Sequence, residues 1–149
     1  MKPTHTILIT LRPAFASSLA DSFLEAIART ALTCESVPAA ELGILLTDDD
    51  EIQALNREYA AEDSSTDVLA FSLQEGEEFA QPDDVLRLGE VIISYPTAER
   101  QARAAGRTTE QEIAHLLVHG VLHLLGYDHA EGEEEQRMRG REVEILTLK

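Results

Sequence analysis

Four stretches of the chain carry the alternation or the short apolar runs that are typical of β-strands. They cover residues 5–11, 42–47, 67–73 and 86–94. The segment between the last two, 74–85, is acidic and lacks a helical period, so it cannot supply the helical crossover that neighbouring parallel strands require. The third and fourth strands are therefore expected to be antiparallel, or else not direct neighbours.

Helical spacing and end signals predict helices in the intervening stretches. These helices cover residues 17–32, 47 to about 59, 96–105, 109–125 and 131–147. Ser17 or Ser18 caps the first, Pro96 suits the first position of the third, and Gly106 ends it. Together the elements predict one α/β domain over residues 1–149, built in two or three layers.

The fourth helix carries the strongest signals. Thr109 and Glu112 have the spacing of a capping box, and Gly126 is a natural stop that permits a left-handed turn. Its apolar stripe consists of Ile113, Leu116, Leu117, Val121, Leu124 and Leu125.

Histidines crowd the end of this helix, since four of the five in the chain lie between residues 115 and 129. His119 and His123 are four apart, so a helix places both imidazoles on one face, as adjacent ligands of a tetrahedral metal require. The turn at Gly126 lets His129 return toward them. Three histidines without a cysteine predict one catalytic zinc ion per chain with a position left for water, the alternative being that the three are ordinary core or surface histidines.

Two alternatives at this site stay open. His115, one turn earlier, is expected to support a ligand or to pack, although it could be a fourth ligand. Nickel, cobalt or copper would also suit three imidazoles.

The spacing of the three histidines equals that of metzincin metallopeptidases, whose motif has a glutamate general base directly after the first histidine. Gly120 stands at that position here. Peptide hydrolysis would lack its base, whereas RNA carries its own 2′-hydroxyl nucleophile and needs chiefly proton transfer and charge neutralisation. RNA hydrolysis is therefore favoured over peptide hydrolysis.

The segment His119-Gly-Val-Leu-His123-Leu-Leu-Gly-Tyr-Asp-His129 closely resembles the signature of the YbeY family of bacterial rRNA maturation factors, single-strand-specific metal-dependent endoribonucleases. Two further blocks are similar to that family, so the likeness extends over about residues 42 to 129. They are Leu55-Asn56, Tyr59, Asp63, Thr66-Asp67-Val68-Leu69 and Phe71, and then Leu88-Gly89-Glu90-Val91-Ile92-Ile93-Ser94.

The resemblance implies an α/β (α+β) fold with a mixed four-stranded sheet, three strands parallel and one antiparallel, packed by helices that include a metzincin-like active-site helix. It implies zinc held by His119, His123 and His129. It also implies ribosomal RNA as substrate, in small-subunit 3′-end processing and ribosome quality control, with ribosomal proteins or ribosome-associated factors as partners.

Two positions depart from the family pattern. Ala60 replaces an arginine that is important for activity, and Ala70 replaces a serine. Losing that arginine removes a cation able to clamp a phosphate. Arg57, one helical turn earlier, is a candidate substitute, the alternative being an ordinary solvated side chain.

The net charge and the remaining polar residues bear on how RNA could bind and on a second possible function. The net charge of −16 repels a phosphate backbone, although Arg100 and Arg103 belong to a cluster that would form a local RNA-binding rim unless they are ordinary solvated residues. Asp128 is a candidate to orient a ligand histidine or to carry a proton, the alternative being a cap for the helix that follows residue 130. An acidic body also suits docking to basic ribosomal proteins, so the rival function is a ribosome-assembly or scaffold protein that retains zinc without catalysis.

Cysteine content and hydropathy bear on location. Cys34 is the single cysteine, so no internal disulfide forms, which favours a reducing cytoplasm. The apolar run at Ile7 to Leu11 is shorter than a signal-peptide core of about 7–15 residues, and no stretch approaches the roughly 20 apolar residues of a membrane span.

Overall fold

The computed structural model describes residues 5–59, 66–72, 86–126 and 132–148. Those ranges contain four strands, five α-helices and a 3-10 turn at Pro13–Phe15. In chain order the elements are β1 (His5–Leu11), α1 (Asp21–Cys34), β2 (Ala40–Thr47), α2 (Asp49–Tyr59), β3 (Val68–Ser72), β4 (Leu86–Ser94), α3 (Tyr95–Ala105), α4 (Thr109–Leu124) and α5 (Gly132–Leu148).

The four strands form one mixed sheet in the order β1-β2-β4-β3. β1, β2 and β4 run parallel, and β3 pairs antiparallel with β4, Ala70 opposite Val91. The structure therefore confirms three parallel strands and one antiparallel strand. It also resolves the open question about the last two predicted strands, which are antiparallel neighbours.

The start of the first helix was predicted wrongly. Helix α1 begins at Asp21, and Ala20 at its N-cap makes no side-chain capping bond. Ser17 and Ser18 belong instead to the turn after the 3-10 segment, where the Ser18 amide donates to the carbonyl of Phe15 at 3.0 Å. Because backbone groups of this turn already form local hydrogen bonds, the helix does not extend back to residue 17, and neither serine caps α1.

Helix α4 lies at the centre of the fold and packs against α1, α3, α5, β3 and β4. Its buried positions surround the helix rather than forming one stripe, because sheet and helices cover it from several sides. The predicted stripe was therefore too narrow, with Ala114, Val118 and Leu122 buried as well. Although α4 is strongly apolar, neither it nor any other helix in the described ranges is long and apolar enough to cross a membrane.

Candidate metal centre

Helix α4 is held at its start by a capping box one residue earlier than predicted. Thr108 is the N-cap, its hydroxyl accepting from the Gln111 amide at 3.1 Å. The Gln111 side chain accepts in return from the Thr108 amide at 2.9 Å. The prediction of Thr109 with Glu112 was wrong because the Glu112 side chain is buried and forms an ion pair with Arg107 instead.

The structure describes two of the three predicted metal ligands. His119 and His123 lie four residues apart in the second half of α4, so their side chains leave the same face of the helix. The His119 side chain is 29% exposed, and His123 is exposed. The predicted ligand His129 and the predicted catalytic residue Asp128 lie outside the described residues.

The chain turns immediately after this pair of histidines. Gly126 has a φ of 103°, and its amide donates to the carbonyl of His123 at 3.1 Å. A side chain with a Cβ is rarely accommodated at such a φ, so glycine suits this position. The predicted turn after α4 is thus confirmed, and it lies three residues before His129 in sequence.

Glu142 of α5 connects two of the histidines. His119 Nδ1 lies 2.7 Å from one carboxylate oxygen, and His115 Nε2 lies 3.1 Å from the other. Glu142 is only 6% exposed. Burial by itself would raise the pKa of Glu142, but the hydrogen bonds from His115 and His119 and the charge of the two rings lower it to about 2.

Because Glu142 is a carboxylate, it can only accept hydrogen bonds, so both histidines donate to it. His119 therefore carries a proton on Nδ1, and in the neutral ring the lone pair is on Nε2. His115 donates from Nε2, and this hydrogen bond is the main reason why its pKa is raised. The other ring nitrogen of His115, Nδ1, is buried, which favours a supporting role for that residue over a role as fourth ligand.

An arginine beside Glu142 fixes helix α5 against the end of α1. Arg141 donates to the Glu35 carboxylate through Nε at 2.7 Å and to the carbonyl of Cys34 at 3.1 Å. It also pairs with Glu144 on its own helix at 2.5 Å. The backbone that carries Glu142 is thereby anchored, which defines where its carboxylate meets the histidines.

Gly120, between the two histidines, is needed for close packing of α4 on the sheet. A Cβ at this position would lie 2.7 Å from Cγ1 of Val91 on β4 and 3.5 Å from Cγ2 of Val68 on β3. A glutamate here would have no space for its side chain. The metallopeptidase base is thus excluded from this position by packing as well as by sequence.

The arginines predicted to bind substrate occupy different settings. Arg57 is exposed in the last turn of α2, and Arg103 is exposed in α3. Arg100 is 61% exposed but donates to Asp49 and to the Thr97 hydroxyl, each at 2.9 Å. Their contact with RNA stays a prediction, and Arg100 has a structural partner that the sequence did not indicate.

Asp49 is the centre of a second polar network, at the carboxyl ends of β2 and β4. It accepts hydrogen bonds from the hydroxyls of Ser94 and Thr97, each at 2.5 Å, and from Arg100. Burial would raise the pKa of Asp49, but these hydrogen bonds and the charge of Arg100 lower it to about 2. The network ties the start of α2 to the start of α3.

The donor set suits a transition metal at one end of α4. Two imidazoles on one helix face, one held by a carboxylate behind it, are ligands that zinc prefers. Within the described ranges, which omit His129, no three histidine, cysteine, aspartate or glutamate side chains form a metal-binding group. The described residues therefore fit part of a zinc site, and its third predicted ligand is not described.

Fold and site together define a class: an α+β protein with a mixed four-stranded sheet and a central, histidine-bearing helix. Sequence comparison then gives the family. The family model described as "Endoribonuclease YbeY" matches residues 11–148, so the chain belongs to the YbeY family. The resemblance noted in the sequence is thus confirmed.

Relatives support the assignment over most of the chain. A protein named "Endoribonuclease YbeY" from Syntrophotalea carbinolica is 48% identical over 126 residues, 83% of each chain. One of the same name from Dehalococcoides mccartyi is 44% identical over 146 residues, covering 91% of this chain and 88% of the relative. The solution structure of TM1509 from Thermotoga maritima, 27% identical, superimposes with a TM-score of 0.60 over 95% of this chain and 90% of that one.

Glu142 is the residue of this region that the sequence did not reveal. It lies in a helix with many acidic residues, and its residue type alone does not distinguish it from solvated glutamates. The one signal in the sequence is its spacing: Met138, Glu142 and Ile145 share a face that a helix would bury.

Proposed function

We propose that this protein is a single-strand-specific, zinc-dependent endoribonuclease that acts on ribosomal RNA, in small-subunit 3′-end maturation and in ribosome quality control. The match of residues 11–148 to the endoribonuclease family carries the proposal. The pairing of His119 with a buried carboxylate supports the metal, because a ligand histidine commonly donates its other ring nitrogen to such a group.

His119, His123 and His129 would hold the ion, with one ion per chain. When bound, zinc would supply a Lewis acid for a phosphate oxygen and would lower the pKa of a bound water to about 7. Glu142 accepts a hydrogen bond from the Nδ1–H of His119 and so holds that ring in one orientation. Asp128 is the proposed proton carrier, and Arg57, Arg100 and Arg103 are the proposed contacts to the RNA backbone.

The net charge of the chain, −16, opposes the approach of RNA. A locally basic surface or a basic ribosomal protein would have to offset this repulsion. The same charge favours the second candidate function, a ribosome-assembly or scaffold protein that keeps zinc but not catalysis. We place either function in the cytoplasm, consistent with the single cysteine.

Packing argues against a metallopeptidase. The position that would hold its general base is Gly120, whose Cα faces Val91 with no room for a longer side chain. A protease would need its base from elsewhere in the chain.

One experiment separates the three functions. Purified protein, analysed for bound metal, is incubated with single-stranded RNA, with double-stranded RNA and with casein, beside a His119→Ala/His123→Ala variant. We expect cleavage of single-stranded RNA alone, and only by the wild type. Intact RNA with zinc still bound would favour the scaffold, casein cleavage would favour a peptidase, and equal RNA cleavage by the variant would refute the proposal.

A further inference from the structure

A buried glutamate on α5 is hard to explain by folding alone. Met138 and Ile145 lie on the same helix face and are each 1% exposed, whereas Glu142 between them is 6% exposed. An apolar side chain is the usual occupant of such a face, because burying a carboxylate costs free energy unless it is well paired. The charge at this position therefore needs a specific reason.

We propose that Glu142 is the positioning residue of the metal site, fixing the tautomer and the ring orientation of His119 so that Nε2 is the ligand atom. The inference rests on the zinc site proposed above and deepens it. The geometry that carries it is the 2.7 Å contact between His119 Nδ1 and Glu142, made from a helix 23 residues away in sequence.

Both carboxylate oxygens are used, which restrains Glu142 itself. One oxygen accepts from His119 and the other from His115, so the carboxylate cannot rotate without breaking a hydrogen bond. The rings of His115 and His119 lie 6.3 Å apart between centroids, tilted by 60°. His115 thus acts through Glu142, by holding the second oxygen of the carboxylate while the first contacts His119.

The anchoring of α5 completes this arrangement. Arg141, adjacent to Glu142, holds Glu35 and the carbonyl of Cys34 at the end of α1. The position of α5 therefore sets the orientation of the Glu142 carboxylate, and the carboxylate in turn sets the tautomer of His119. Such support behind a ligand typically changes metal affinity by about 10–100-fold when it is removed.

The first test reads the tautomer directly, without metal. Long-range ¹H–¹⁵N NMR spectra of the histidine rings distinguish a proton on Nδ1 from one on Nε2. Wild type is expected to show His119 protonated on Nδ1, and Glu142→Leu, whose side chain suits the face of Met138 and Ile145, is expected to lose that preference. An unchanged His119 tautomer in Glu142→Leu would overturn the proposal.

The second test measures zinc affinity by competition with a chelator. Glu142→Leu is expected to bind zinc about 10–100-fold more weakly than wild type. Glu142→Gln, which keeps the shape and one acceptor oxygen, is expected to fall between them. The matched control is Glu110→Gln, at an exposed position in the first turn of α4, and it should bind as wild type does.

The outcomes separate this inference from the proposed function. If wild type binds zinc and both Glu142 variants bind equally well, the role of Glu142 is refuted while the metal site stands. If wild type itself binds no zinc, the proposed metal site fails. Should Glu142→Leu not fold, Glu142→Gln decides alone, and wild-type affinity in that variant refutes the inference.

Discussion

Asp49 and Glu142 lie in two different regions of the molecule, and both are carboxylates kept ionised against the effect of burial. They differ in the kind of side chain that donates hydrogen bonds to them. Each carboxylate has its pKa lowered to about 2 against the effect of burial. Asp49 is satisfied by two hydroxyls and a guanidinium, and Glu142 by two imidazoles. The hydroxyl and guanidinium partners of Asp49 are not among the side chains that zinc prefers as ligands, whereas an imidazole that donates from one nitrogen can bind a metal through the other.

A strongly lowered pKa therefore does not identify the functional region by itself. The Asp49 network joins the starts of two helices, as an ordinary structural network does. The Glu142 cluster lies behind a pair of histidines on the central helix. The chemical type of the partners separates the two regions, and the following predictions test that separation.

The largest difference is expected in activity. His119→Ala should lower cleavage of single-stranded RNA by at least about 100-fold, since losing a ligand costs more than losing the group behind it. Asp49→Asn should stay within about threefold of wild type under conditions where it is folded. Cleavage rates at saturating and at limiting RNA, measured on both variants, check this prediction. Equal losses of cleavage rate in the two variants would show that the two regions do not differ in function.

Packing around the histidine helix should be less tolerant than packing elsewhere. Gly120→Ala is expected to destabilise the protein by about 1–2 kcal/mol, because the clash with the stiff, buried Val91 exceeds the gain in helix propensity. Urea unfolding followed by circular dichroism measures it.

Gly140→Ala on α5 is the matched control, since an added Cβ there meets nothing within 4 Å. It should stabilise by about 0.5–1 kcal/mol. A stabilised Gly120→Ala variant would show that α4 does not pack on the sheet as described.

The Asp49 network should be visible as a pH-dependent contribution to stability. Because its pKa is lowered from 3.8 to about 2 on folding, Asp49 stabilises the protein fully above pH 3.8, and this stabilisation is lost as the pH falls toward 2. Asp49→Asn should cost about 1 kcal/mol at pH 7, and its difference from wild type should shrink below pH 4, within about one pH unit of the unfolded pKa.

Unfolding free energies from pH 7 to the lowest pH at which both proteins fold provide the measurement. Asp50→Asn, at an exposed position in the same helix turn, is the control and should cost less than about 0.5 kcal/mol. A difference between wild type and Asp49→Asn that stays constant down to pH 3 would contradict the network.

The smallest effects are expected at the proposed RNA contacts. Arg57→Ala, Arg100→Ala and Arg103→Ala should each raise the KM for single-stranded RNA by about two- to fivefold and reduce its salt dependence. Arg100→Ala should also lose stability through Asp49. If Arg100→Ala changes stability and leaves KM unaltered, Arg100 belongs to the structural region alone.

Much of the fold could be predicted from the sequence because its signals are local. The bounds of β4, residues 86–94, follow from its apolar run. The acidic connection before it left two alternatives, antiparallel strands or strands that are not neighbours, and the structure shows the first. Helix starts were less predictable, since Ser17, Ser18, Thr108 and Thr109 are all chemically able to cap. Which of them does so depends on the turn at Phe15 and on the pairing of Glu112 with Arg107.

For the candidate site, spacing predicted that two histidines share a helix face but not that a carboxylate lies behind them. His119 and His123 follow from helical periodicity, whereas the contact with Glu142 joins two helices whose relative position no local pattern specifies. The packing reason for glycine at position 120 could not be predicted from the sequence either. The sequence shows that the metallopeptidase glutamate is absent, but only the structure shows that Val91 occupies the space that a side chain at position 120 would need.

The dependence of His119 on α5 has a consequence for biosynthesis. The histidines of α4 leave the ribosome before the helix that carries Glu142 and Arg141, because translation proceeds from the N-terminus. A nascent chain thus contains His119 before it contains Glu142, and only docking of α5 brings the two together. The contact between His119 and Glu142 can therefore form only after synthesis has passed residue 142.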